Sequence, residues 1–243
     1  MNEPPKQILG VIGGLGPAAT ARFLELTAQM TDAKTDQGHL DMLIYSFPEI
    51  PDRTAYILDP TLESPLPAML RIAQALTCQG ATQIAIPCFT AHYFIDALQA
   101  AVPVPFIHGI LETVRHLQEN GITRAGILAT DGTIRTGLFA NALKEAGIEA
   151  VLPSPERQQG IMHLIYQNIK AGLPPEMERF TAAWEELRGA GAQAVILGCT
   201  ELSLLKRNHP LGPGCLDAME VLARESVLRC GKPLKPEYHC LIT

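Results

Sequence analysis

The chain has 243 residues, 47% of them apolar and 18% charged, which is enough for one large domain or two small ones with real cores and excludes a disordered or fibrous protein. Nineteen Lys and Arg against 25 Asp and Glu leave a net charge of -6, so a nucleic-acid backbone or an anionic membrane surface meets no broad positive patch and neither is an expected partner. The six cysteines, at 78, 88, 199, 215, 230 and 240, contain no CxxC pair, and no metal is expected on them.

The start, Met1-Asn2-Glu3-Pro4-Pro5-Lys6-Gln7, lacks the basic end and apolar run of a signal peptide. No apolar run approaches the roughly 18 residues of a membrane span. The expectation is a cytoplasmic protein with free thiols.

In chain order the pattern predicts a strand over 8–12, a helix over 18–30, a strand over 42–47, a helix over 66–79 and a strand over 83–86. A helix over 93–100, a strand over 105–108, a helix over 110–120 and a strand over 125–129 follow. The rest reads as a helix over 134–146, a strand over 149–152, helices over 156–171 and 177–190, a strand over 194–197 and a helix over 216–230. Short apolar strands alternating with amphipathic helices predict an α/β fold with mainly parallel sheets flanked by helices.

Two segments repeat. Gly80-Ala81-Thr82-Gln83-Ile84-Ala85-Ile86-Pro87-Cys88 lies on Gly191-Ala192-Gln193-Ala194-Val195-Ile196-Leu197-Gly198-Cys199 at a constant offset of 111. An earlier pair, Gly10-Val11-Ile12 and Gly126-Ile127-Leu128, matches at an offset of 116, as do Phe23 and Phe139. Either all βα units look alike, or the chain holds two related, pseudosymmetric lobes. The second reading divides it into 1–115 with 212–243, and 116–211. The terminal stretch then returns to the first lobe as a helix, the second lobe's strands are complete before it, and the residues after 231–233 form a loose tail.

Ligands of such sheets bind outside the carboxyl ends of the strands, where Cys88 and Cys199 stand. A thiol there, ahead of a helix, has backbone N–H groups and a helix dipole to favour its thiolate. Two thiols on opposite sides of one substrate carbon suit an inversion, one removing a proton and the other delivering one. The plain alternative for either cysteine is inert core.

Four blocks carry a resemblance: Gly13-Gly14-Leu15-Gly16-Pro17-Ala18-Ala19-Thr20, Pro51-Asp52-Arg53-Thr54, Pro87-Cys88-Phe89-Thr90-Ala91-His92 and Gly198-Cys199-Thr200-Glu201-Leu202. Together, over nearly the whole chain, they resemble the aspartate/glutamate racemase superfamily, and within it the aspartate racemases most. The resemblance implies an isomerase that interconverts L and D enantiomers of aspartate, glutamate or a close relative without pyridoxal phosphate or another cofactor. It implies an active site between two lobes, and family members are often homodimers.

Carried over residue by residue, Cys88 and Cys199 match the acid/base cysteines. Thr90 and Thr200 match groups that hold the substrate α-carboxylate, and Gly14, Thr130 and Thr133 lie in loops that line the same cleft. Arg53 matches a clamp for the side-chain carboxylate, a task suited to a guanidinium. Lys170 matches a second cation there, although a solvated lysine at a helix end would look the same. Glu201 is read as holding the substrate ammonium or polarising a thiol, against a first-turn carboxylate answering a helix dipole. His92 is read as tuning Cys88, against a helix-start histidine bonded to its own backbone. Phe89 departs from the family, where Asn commonly follows the first cysteine, and an apolar ring cannot supply an amide hydrogen bond.

Other readings stay open. Within the superfamily, maleate isomerases and hydantoin racemases also use two cysteines. From other classes, Gly14-Leu15-Gly16-Pro17-Ala18-Ala19 satisfies G-x-G-x-x-A, which admits a dinucleotide-dependent oxidoreductase, but no acidic residue ends a second strand about 20 positions on. A noncatalytic amino-acid-binding protein could share the scaffold. Cys78, Cys215, Cys230 and Cys240 read as packing or tail thiols.

Overall fold

The computed structural model describes residues 6–243; the reading of Met1 to Pro5 as no leader lies outside the described residues. The chain opens with strand β1 (Ile8–Gly13), helix α1 (Pro17–Met30), strand β2 (Asp41–Ser46), the short helix α2 (Arg53–Leu58), helix α3 (Leu66–Cys78) and strand β3 (Gln83–Ala85). A 3-10 turn, Thr90–Phe94, leads into α4 (Ile95–Ala101), followed by α5 (Gly109–Glu119). Strand β4 (Arg124–Leu128), helices α6 (Asp131–Thr136) and α7 (Leu138–Glu145), and strand β5 (Glu149–Val151) open the second half. Helices α8 (Pro155–His163) and α9 (Met177–Gly189), strand β6 (Ala194–Leu197), helix α10 (Thr200–Asn208), strand β7 (Cys215–Asp217) and helix α11 (Ala218–Arg229) complete it.

All strand pairs are parallel, in two sheets ordered β2-β1-β3 and β5-β4-β6-β7. The repeat is visible in the register: Gly10 pairs with Ile84 in the first sheet, and Gly126 pairs with Val195 in the second. These are the residues that the two sequence offsets equate, so the halves share strand order and pairing as well as sequence. At both glycines a Cβ would press on a neighbouring leucine, Leu76 or Leu187, so both halves use the missing side chain for close helix packing.

One core cluster lies between the sheets and joins both halves, built on Leu9, Val11, Phe23, Phe89, Ile127, Phe139, Leu222 and their neighbours. A second fills the outer side of the first sheet beneath α3 and α4, and a third fills the outer side of the second beneath α8, α9 and α10. Each sheet is therefore covered on both faces, which explains why its strands are continuous apolar runs rather than alternating ones.

Several expectations are corrected. The strand expected over 105–108 is a single bridge between Phe106 and Ile84, because Pro103 and Pro105 bring no N–H to a ladder. The helix over 134–146 is broken at Gly137, which sits at φ +67 and separates α6 from α7. The helix over 156–171 becomes a π-helical turn at Leu164–Ile169. Residues 215–217, expected outside the second lobe and partly helical, form β7 and pair with β6, so the second sheet is not complete before 212.

Helix α11 does pack on α1, and on α5 as well. The tail is not loose: Lys235 N–H donates to Met30 O at 2.9 Å, Leu241 N–H to His116 Nε2 at 3.1 Å and Thr243 N–H to Cys215 O at 3.2 Å. These bonds tie the terminus to both halves.

Candidate active site

Cys88 follows β3 after a tight turn closed by its own N–H on Ile86 O at 2.7 Å, ahead of the 3-10 turn. Cys199 follows β6 after Gly198 and is the N-cap residue of α10. Gly198 is required there, since a Cβ would stand 2.8 Å from the Phe139 ring and 3.3 Å from Leu128 O. Both thiols are buried, and both line one small cavity.

The cavity holds two cations and two carboxylates. Asp52 caps α2 by accepting from Ala55 N–H at 2.8 Å, which places Arg53 at the helix start and turns it inward, 7% exposed. Arg53 donates to Leu15 O at 3.3 Å, Ile50 O at 3.3 Å and Pro51 O at 3.0 Å, and its guanidinium lies beside the Cys88 sulfur. Lys170, just past the π turn, places Nζ 3.7 Å from Asp52 Oδ2, 3.8 Å from Glu201 Oε1 and 4.3 Å from the centre of the Tyr166 ring. Tyr166 donates its hydroxyl to Asp52 at 3.2 Å.

Burial works against the charge on Lys170, yet Glu201, Tyr166, Cys199 and Asp52 around it hold its ammonium above the usual lysine range. Burial pushes the Tyr166 phenol up to about 12, so it stays a donor.

Cys199 donates its thiol to Glu201 Oε2 at 2.9 Å, and the Thr200 hydroxyl donates to the same oxygen at 3.3 Å. Burial, and then the adjoining Glu201 carboxylate, push this thiol well above its ordinary range. That reverses the expectation of a thiolate favoured by the helix start: desolvation and a neighbouring like charge outweigh the dipole.

A ring of hydroxyls joins the two halves: Thr90 Oγ1 lies 2.9 Å from Thr130 Oγ1 and 3.0 Å from Thr133 Oγ1, which are 3.2 Å apart. Thr90 and Thr130 line the cavity and Thr133 backs them. Gly132 lets the loop approach, because a Cβ there would crowd Thr54 and Thr90.

His92 is an anchor rather than a proton partner for the Cys88 thiol. Its Nδ1 lies 3.1 Å from Cys88 O, and Gly109 N–H donates to Nε2 at 3.1 Å. With Nε2 accepting, Nδ1 carries the proton and donates to the carbonyl. Burial pushes this imidazole down to about 3, with His108 nearby adding to the shift. Phe89 touches the cavity, but its ring is 1% exposed, stacks on His92 at 5.4 Å and packs on Phe139 at 5.8 Å.

The structure thus brings Arg53, Cys88, Phe89, Thr90, Thr130, Lys170, Cys199, Thr200 and Glu201 to one cavity. Gly14 lines a larger outer cavity of about 420 Å³, which shares Asp52, Arg53, Lys170 and Glu201 with the inner one. Sequence reading assigned no role to Leu15, Asp52, Thr54 or Tyr166, which also line the inner cavity. Asp52 was findable as a capping residue; Tyr166, four residues before Lys170, shares its helical face. Among the described residues no group of three or more His, Cys, Asp or Glu is arranged to hold a metal ion.

The model of the Asp/Glu/hydantoin racemase family matches residues 12–226. The chain belongs to that family. The broad-specificity amino-acid racemase RacX of Bacillus subtilis (strain 168) is 28% identical over 229 residues, 90% of this chain and 96% of that protein. The structure is similar to an aspartate racemase of Picrophilus torridus, with a TM-score of 0.81 and 29% identity over 98% of this chain and 100% of that one. A putative Asp/Glu racemase from Yersinia pestis shares the fold, with a TM-score of 0.80 and 23% identity over 93% and 100%. Family members of this kind are isomerases, and both cysteine blocks fall within the matched span. Among the described residues no helix is long and apolar enough to cross a membrane.

Proposed function

We propose that the chain is an amino-acid racemase that works without a cofactor, with Cys88 and Cys199 as its acid and base and aspartate, glutamate or a close relative as substrate. The observation that carries this reading is that two buried thiols, at the ends of equivalent strands in two matching sheets, line the same cavity. One thiolate takes the α-proton, the electron pair of the C–H bond passes to the α-carbon and carboxylate, and the opposite thiol protonates the other face. The hydroxyls of Thr90 and Thr130 are donors suited to the α-carboxylate as charge builds on it, and Thr200, whose hydroxyl is given to Glu201, is read as offering its backbone N–H at the start of α10.

Lys170 is read as the contact for a side-chain carboxylate, since it is already held between two carboxylates. A third such group would compete with Asp52 and Glu201 for it. Arg53 is read as a positive charge on the cavity wall: three of its five N–H donors are held by backbone carbonyls, and its buried Nε–H, which has no hydrogen-bond partner, is left for a substrate carboxylate. Gly14 and Thr133 are read as supports of the loops that bear the contacts.

The test is incubation of the protein with L- and D-aspartate and L- and D-glutamate in D2O, without pyridoxal phosphate, following loss of the α-proton by NMR. Exchange with at least one of these, abolished in both Cys88→Ser and Cys199→Ser, is expected. Full activity in either single variant would overturn the two-thiol reading, and exchange only with neutral amino acids would overturn the substrate class.

A further inference from the structure

The two thiols stand in opposite charge environments. Cys88 has the Arg53 guanidinium beside its sulfur, whereas Cys199 points at the Glu201 carboxylate across 2.9 Å. A thiolate on Cys199 would put two negative charges at hydrogen-bond distance in a buried site, an arrangement strongly disfavoured at low dielectric. A carboxylate at Glu201 is well supported by comparison. Lys170 lies 3.8 Å from its free oxygen, the Thr200 hydroxyl donates to the other, and it sits in the first turn of α10.

Resting on the two-thiol reading, we propose that Cys199 is a relay and Glu201 is the group that holds its proton, so that the base on this face of the substrate is a cysteine–glutamate pair. For an enantiomer whose α-hydrogen faces Cys199, Glu201 Oε2 takes the Sγ proton while the sulfur takes the α-proton. The C–H electron pair stays on the α-carbon and carboxylate, and the carbanion then takes the proton of Cys88. The products are a Cys88 thiolate beside Arg53, a Cys199 thiol and a protonated Glu201. In the reverse direction the Cys88 thiolate takes the α-proton, Cys199 protonates the carbanion, and Glu201 returns its proton to the sulfur. The three groups hold two protons before and after each conversion and three while the carbanion exists, the third being the substrate's own α-proton, so no co-reactant is needed. Negative charge resides on a sulfur only where a cation faces it.

The experiment is the pH profile of kcat/KM for α-proton exchange with the same four amino acids, in the wild-type protein, Glu201→Gln and Glu201→Asp. The pair keeps the wild-type value level from about pH 8 down to about pH 6, because its charge sits on a carboxylate. A base that had to be a free thiolate would lose about tenfold per pH unit there, and that slope in the wild-type protein would overturn the proposal without any variant. Glu201→Gln is expected to lose about 100- to 1,000-fold near pH 7 and to recover about tenfold per unit as pH rises, since Cys199 must then ionise alone. Glu201→Asp keeps the wild-type profile at reduced rate. Wild-type rates in Glu201→Gln, or a loss equal at every pH, would overturn the relay. Cys88→Ser and Cys199→Ser measured alongside separate the failures: activity in either removes the two-thiol reading itself, whereas the glutamate variants test only the relay.

Discussion

Lys170 reaches across from the second half of the chain to place its ammonium 3.7 Å from the Asp52 carboxylate, in the turn that carries Arg53. The same nitrogen lies 3.8 Å from Glu201, so one cation links three segments that line both the inner cavity and the outer one. Replacing it with the uncharged Lys170→Met takes the shared cation from the half-buried Asp52 carboxylate and the buried Glu201 carboxylate. The expected outcome is a KM for aspartate or glutamate raised by about 10- to 100-fold, equivalent to about 1.4–2.8 kcal/mol of binding, with a smaller change in kcat. Initial rates against substrate concentration check this. A kcat that falls with KM unchanged would remove Lys170 from substrate binding.

The sequence exposed most of what places the thiols. The apolar runs over β1, β4 and β6 are buried on both faces, so composition alone marks them, and the repeat marks β3 and β6 as equivalents. Strand β7 was hidden because three residues, Cys215 to Asp217, run directly into α11 and become a strand only by pairing with Val195 to Leu197. Side-chain direction was the larger blind spot. Nothing in Asp52-Arg53-Thr54 reveals that Arg53 spends three of its five N–H donors on the carbonyls of Leu15, Ile50 and Pro51. Nothing in Cys199-Thr200-Glu201 reveals that the thiol points at the carboxylate two residues on. Those facts depend on which groups the fold has removed from water.

Phe89 shows the same limit. By sequence it is an exchange of a polar contact for an apolar one, to be reversed by Phe89→Asn. In the structure its ring stacks on His92, packs on Phe139 and touches the space kept clear by Gly109, where a Cβ would approach Phe89 Cε1 to 2.9 Å. Removing a buried phenylalanine ring costs about 3–5 kcal/mol. Phe89→Asn is therefore expected to lower Tm by about 6–20 °C, read by thermal denaturation, whatever it does to KM. A Tm within 2 °C of the wild type would show that the pocket repacks around the smaller side chain.

His92 gives the fold an acid sensitivity of known sign. Its folded-state value of about 3 lies below the ordinary 6.5 because burial disfavours the imidazolium. The unfolded chain therefore binds the extra proton first. Stability is complete above about pH 6.5 and falls as pH drops from there toward 3, with a full excursion of order 4–5 kcal/mol at about 1.4 kcal/mol per unit. Below about 3 this contribution levels off. His92→Gln, which can bond but cannot ionise, is expected to be less stable at pH 7 and to lose less on going to pH 4.5. Urea unfolding at the two pH values measures both quantities, and an equal loss in the variant would assign the acid sensitivity elsewhere.

Two glycines with similar backbone angles separate strain from crowding. Gly137 sits at φ +67 between α6 and α7, and the nearest atoms a Cβ there would meet belong to the side chain of the exposed Asn141, which can swing away. Gly137→Ala should cost about 1 kcal/mol, or about 2–4 °C in Tm, with activity retained. Gly14 sits at φ +86, but a Cβ would enter the backbone of Phe47, which cannot move without displacing the segment that leads to Ile50. Ile50 O is one of the three acceptors that fix Arg53 beside Cys88. Gly14→Ala is thus expected to lower Tm by more than twice the Gly137→Ala shift and to cut kcat/KM for α-proton exchange at least tenfold. A Gly14→Ala protein with wild-type turnover would show that the position of Arg53 does not depend on this turn.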